Sequence, residues 1–166
     1  MPETSKRTET EGGQNRQEGR PEESAEATPA ASDEPLDERV LTALHAAADK
    51  KAVGLLVLDL RAVASFTDFF VITSGTNVRQ VQAVADEVVE RVRKEHKSKP
   101  ARVEGYATGE WVLLDYGDFI VHVFEEKARR FYDLERLWRD AARVALPAEL
   151  AGSAAPPPGG SLRSEG

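Results

Sequence analysis

The sequence predicts an α+β domain, a mixed β-sheet of about five strands with helices packed on it. Three observations predict it. Apolar residues recur at helical spacing in three separate stretches. Five short β-rich runs lie between and beside them. The resulting order is helix, strand, strand, helix, strand, strand, strand, helix.

The first helix opens at Pro35. Leu36, Val40, Leu41, Leu44 and Ala48 fall on one face. Asp37 and Glu38 stand at its start and Lys50 and Lys51 at its end, as the helix dipole favours. Val53 to Leu60 and Phe69 to Thr73 follow as strands. Neither alternates cleanly, so both are expected to be central and covered on two faces.

Asn77 is a suitable N-cap for a long second helix, with Gln80 placed to return a capping bond. Val78, Val81, Val84, Ala85, Val88 and Val92 form its apolar stripe, and Ser98 and Pro100 end it. Arg102 to Tyr106 reads as a short strand. Glu110 to Leu114 and Phe119 to Phe124 flank Asp115-Tyr116-Gly117-Asp118, the pattern of a hairpin. Phe131, Leu134, Leu137, Trp138 and Ala141 repeat at the spacing of a last helix.

Both ends of the chain differ in composition. Residues 1–34 contain no Leu, Ile, Val, Phe, Trp or Tyr, and hold nine acids against four bases. Residues 147–166 are rich in Pro, Gly and Ala. Segments so poor in apolar material are expected to stay disordered. The folding unit is then 35–146, with 1–34 and 147–166 as tails.

The net charge of −7 belongs mostly to the first tail. Residues 35–146 hold eighteen acids and seventeen bases, so little direct nucleic-acid contact is expected of the domain. There are no cysteines, which removes disulfides, thiolate metal sites and a thiol nucleophile. No apolar run is long enough to span a bilayer, and the N-terminus has no signal-peptide core. A cytoplasmic protein is expected.

The candidate chemistry is sparse. Ser74-Gly75 ends a strand before a helix, where backbone N–H groups can face an anion; a glycine needed for a tight turn explains it as well. Asp115 and Asp118 could hold a divalent metal for nucleotidyl transfer, but Asp is also a preferred turn residue. His122 has no partner at a spacing that suggests acid–base work. Strand alternation puts Trp111, Leu113 and Asp115 on one face and Val112 and Leu114 on the other. If a helix covers the second face, Trp111 and Leu113 stand open as an anchor for a protein partner. If it covers the first, they are core.

Taken together, several blocks are more specific. They are Thr67-Asp68-Phe69-Phe70-Val71-Ile72-Thr73-Ser74-Gly75, Arg79-Gln80-Val81, Ala85-Asp86, Glu104-Gly105, Trp111 to Asp118, Val121-His122-Val123-Phe124, and Arg130 to Trp138. In this order and spacing, over residues 36–141, the chain resembles the Iojap-like ribosome silencing factors. The resemblance implies a nucleotidyltransferase-like fold without the catalytic residues, no enzyme activity and no cofactor. It also implies homodimers and binding to the large ribosomal subunit through ribosomal protein L fourteen, which sterically blocks subunit joining and lowers translation when nutrients are scarce. The expected partner surface comprises Trp111 and Leu113, with Asp115, Tyr116 and Asp118 at or near its rim and His122 on the neighbouring strand. Acids at the rim would suit a basic ribosomal protein. The competing functions are a nucleotidyltransferase-like enzyme using Asp115 and Asp118, and a dimeric ribosome-assembly adaptor.

Overall fold

The computed structural model describes residues 36–157. The expected N-terminal tail lies outside the described residues, as does 158–166. Helix α1 spans Glu38–Asp49 and is capped by the Asp37 side chain, which accepts from the Arg39 N–H at 2.8 Å. Val40, Ala43, Leu44 and Ala47 make its buried stripe. Lys50 and Lys51 lie just past its last turn, where Lys51 takes a positive φ and turns the chain into the sheet.

Strands β1 (Val53–Asp59) and β2 (Phe69–Gly75) pair antiparallel. Helix α2 (Val78–His96) carries the chain across to the short strand β3 (Arg102–Glu104). Asn77 caps α2 by accepting from Gln80 N–H at 2.8 Å. The Gln80 side chain returns the bond one residue earlier than expected, accepting from Thr76 N–H at 2.7 Å. Gly75 has a reason other than a tight turn. A Cβ there would press on the Val81 backbone nitrogen at 3.1 Å, so glycine lets the strand end approach α2 closely.

Strands β4 (Trp111–Asp115) and β5 (Phe119–Glu125) form the expected hairpin. Tyr116 N–H donates to the Phe119 carbonyl at 2.9 Å, and Gly117 takes a φ of +88° in the tight connection between the strands. Strand β5 then pairs in parallel with β2, from Phe69 against Phe119 to Gly75 against Glu125. A two-residue strand β6 (Ala142–Arg143) pairs with β1. The sheet order is β3-β4-β5-β2-β1-β6, six strands where five were legible. Two residues are too few to show a period.

The sheet is covered on both faces. Helices α1 and α2 pack on the side of Val57, Val71, Val112, Leu114, Val121 and Val123. The other side holds Leu56, Leu58, Phe70, Ile72 and Phe124, together with Leu134 and Ala141 from the C-terminal segment.

That segment is not the single helix that the spacing suggested. Helix α3 (Glu126–Tyr132) stops at Asp133, whose φ is +50°, and α4 (Leu134–Leu137) restarts in a new direction. The break resets the helical phase. Leu134 and Ala141 are buried, whereas Phe131 and Leu137 point into solvent.

The fold also runs past the expected boundary at 146. A 3-10 helix, Ala148–Ser153, places Leu150 in the core, and the Ala155 N–H donates to the Leu55 carbonyl at 2.8 Å. One leucine in a Pro/Ala/Gly stretch is a weak signal, but buried it is a full core side chain. A chain ended after Leu146 should therefore lose about 2 kcal/mol or more against one ended after Pro157. Urea denaturation followed by circular dichroism measures this; equal midpoints would return the boundary to 146.

Candidate functional site

The helix-packed side of β4 is the Val112/Leu114 side, both residues being fully buried. This leaves Trp111 and Leu113 half-buried on the opposite face. Trp111 is fixed from several directions. Its ring stacks on Phe124 with centroids 4.8 Å apart and meets Tyr132 of α3 at 4.9 Å. Its indole N–H donates to His122 Nδ1 at 3.0 Å. Accepting at Nδ1 places the imidazole proton on Nε2.

His122 is only 3 % exposed, so it supports Trp111 from beneath. Phe70 packs edge-on against it at 4.4 Å, and its buried Nε2 has no hydrogen-bond partner among the described residues. Burial in this aromatic setting pushes the His122 pKa down to about 3.

Tyr116 is a correction. It shares the even-numbered face of β4 with Val112 and Leu114, and lies in the helix-side core rather than at the rim around Trp111. Its ring stacks on Phe119 at 4.7 Å, and burial raises the phenol pKa to about 12. The same alternation that exposes Trp111 buries Tyr116 five residues on.

The two rim acids are held apart. Asp115 accepts from Gly117 N–H at 2.9 Å and from Arg102 at 3.2 Å. Asp118 is exposed and accepts from Arg39 at 2.9 Å. Asp115 thus does the turn-making that an Asp at this position does. Among the described residues, no three His, Asp or Glu side chains are grouped as a metal site would require. Ser74 is likewise engaged within the fold, accepting from Arg129 Nη1 at 2.8 Å, while Arg129 also pairs with Glu135.

Sequence reasoning missed the most open part of this face. Phe131 is 80 % exposed and Phe66 57 %, with Tyr132 half-exposed between Phe131 and Trp111; Leu137 of α4 is itself 73 % exposed. Ring contacts run without a gap from Phe66 through Phe70, His122, Trp111 and Tyr132 to Phe131. Lys127 and Arg130, in the same helix as Phe131 and Tyr132, are exposed, as is Arg136 of α4. Exposed cations thus neighbour Phe131 and Tyr132 along the chain, in addition to Asp115 and Asp118 at the hairpin turn. The available signal was Arg129-Arg130-Phe131-Tyr132-Asp133, two adjacent aromatics between cations and a helix-breaking Asp.

Residues 33–160 match the family model described as ribosomal silencing factor during starvation. The chain belongs to this family. It is 42 % identical over 104 residues to a ribosomal silencing factor of Halalkalibacterium halodurans, covering 63 % of this chain and 88 % of that one. It is 37 % identical over 113 residues to the ribosomal silencing factor of Bacillus subtilis, covering 67 % of this chain and 95 % of that one. A crystal structure from Bacillus halodurans shares the fold at a TM-score of 0.58 and 39 % identity, over 66 % of this chain and 98 % of the other. The α+β fold and the family membership thus agree with the resemblance seen in the sequence.

The buried histidine gives a pH dependence of known sign. Folded His122 stays neutral down to about pH 3, whereas the unfolded chain takes up a proton below the ordinary value of 6.5. The unfolded state binds more protons in that window, so stability falls as pH falls from 6.5 toward 3. At pH 5 the loss from this residue is about 2 kcal/mol. His122→Phe should flatten the change in urea midpoint between pH 7 and pH 5; an unchanged slope in that variant would show that His122 does not cause it.

Proposed function

We propose that this chain is a cytoplasmic, non-enzymatic ribosome silencing factor. It docks on the large ribosomal subunit through ribosomal protein L fourteen, sterically blocks joining of the small subunit and lowers translation under nutrient limitation. The observation that carries the reading is the aromatic belt that runs from half-buried Trp111 through Tyr132 to the exposed Phe131, with Leu137 exposed in the next helix. Large apolar side chains left in water beside fixed charges are characteristic of a protein interface. Family membership supplies the ribosome as its setting.

The belt divides naturally into a rigid part and an open part. Trp111 is immobilised before binding by His122, Phe124 and Tyr132, so little side-chain entropy remains to be lost there. Phe131 and Leu137 offer the larger area still to be removed from water. The mixed charges around them set orientation and encounter rate more than affinity.

The test uses variants that the fold does not need. Phe131→Ala and Leu137→Ala should leave the melting temperature within a few degrees of wild type, because neither side chain is packed in the core. Combined, they should weaken large-subunit binding about tenfold or more, and Trp111→Ala about thirtyfold. Cosedimentation with purified large subunits gives the affinity, and light scattering of mixed subunits gives the block of joining. Wild-type binding by the Phe131/Leu137 double variant would remove this face from the reading. Sedimentation of the free protein tests the implied homodimer separately.

A further inference from the structure

The side of the sheet away from Trp111 has an opening of its own. Helix α2 covers β4 and β5 but leaves the edge strand β3 uncovered. Between them runs a groove of about 460 Å³. Leu114 forms its floor, and Ala85 and Val89 of α2 form one wall. Val103 and Tyr106 form the other, and both are more than a third exposed. The charged residues in the lining, Asp86 and Glu90, are both acids and both stand at the exposed rim.

The groove is held open by the fold. Tyr106 donates its hydroxyl to Asp86 at 3.0 Å, which fixes the ring as a wall. The Gln82 side chain donates to the Tyr106 carbonyl at 2.8 Å. Gly109, at φ +70°, packs so closely on Val78 that a Cβ would collide with that side chain. These contacts pin the 105–109 loop to α2 without filling the space.

We propose that this groove is a second docking surface, which takes a basic peptide segment of a partner protein by burying one bulky aliphatic side chain. Charge decides the occupant. Asp86 disfavours an acidic segment and attracts a cationic one, and Glu90, held by Arg93 at 2.9 Å in an exposed and therefore weak ion pair, can exchange that partner for an incoming cation. Residues 1–34 are net acidic and offer no Leu, Ile, Val or aromatic side chain, so they match neither the rim nor the floor. Residues 158–166 hold one base and one acid, so they bring no net positive charge for the rim to attract. A second copy entering by its Phe131 end would make a head-to-tail contact, closing into a ring or running on as a filament, and would show as a concentration-dependent increase in mass. The groove shares no lining residue with the belt around Trp111, so this surface is independent of the reading above.

The probe is a fluorescein-labelled five-residue peptide, one Leu flanked on each side by two Lys, titrated with the full chain. A control peptide has Gly in place of Leu. Fluorescence anisotropy should show saturable one-to-one binding of the Leu peptide, about tenfold tighter than the control. Val103→Lys, at an exposed edge position, should remove that tenfold advantage. Glu90→Gln should weaken binding severalfold and lower its salt dependence. Trp111→Ala should retain the peptide. Equal binding of both peptides would reduce the effect to general attraction by an acidic chain and overturn the proposal. So would full binding by Val103→Lys. A concentration-dependent mass increase that Val103→Lys abolishes would assign the groove to a second copy instead, and would also overturn it.

Discussion

The architecture depends on the parallel pairing of β2 with β5. Parallel neighbours cannot be joined by a tight turn, so the chain must leave the sheet and return. It does so through α2, β3 and β4, which places α2 across one face and β4 outside β5. Seven consecutive register pairs, Phe69–Phe119 to Gly75–Glu125, hold this centre, and both strands are buried on both sides. Strand β4 lies one strand further out. There α2 covers one face, and on the other Trp111 and Leu113 lie half-buried, with Tyr132 of α3 against the Trp111 ring.

The half-buried tryptophan is then stabilised at a cost. His122 supplies the acceptor for its indole N–H, but the other ring nitrogen is buried with no partner among the described residues. An unpaired buried polar group costs about 1–3 kcal/mol. Aromatic packing on Phe124, Tyr132 and Phe70 offsets it. The result is a tryptophan ring fixed in one position by its neighbours.

Charge plays a smaller part than its abundance suggests. Many of the ion pairs are at the surface, such as Arg93–Glu90 and Arg102–Glu104, and contribute about 0–1 kcal/mol each. Arg129 differs, because it is mostly enclosed and ties Ser74 at the end of β2 to Glu135 of α4. It fixes the C-terminal segment against the sheet end and so sets where Phe131 and Leu137 emerge. The near-neutral balance of residues 35–146 conceals two unlike surfaces, one with cations beside aromatics and one with acids around an aliphatic groove.

The sequence by itself determined what depends on local period and on turn chemistry. Helix α2, the Asn77 cap, the strands on either side of Asp115-Tyr116-Gly117-Asp118 and the two-sided burial of β1 and β2 all follow from residues within a few positions of one another. So does the pairing of Trp111 with Leu113 on one face, and the family blocks were legible because they are contiguous. Only the tertiary structure decided which face the helices cover. That choice rests on contacts between residues far apart in the chain, such as α2 against β4. It also decided that Tyr116 goes inward, that Leu150 enters the core, and that Asp133 divides the last helix. A single residue at positive φ changes direction without changing composition. Phe131 and Leu137 therefore keep the spacing of core residues while the chain turns them out into water.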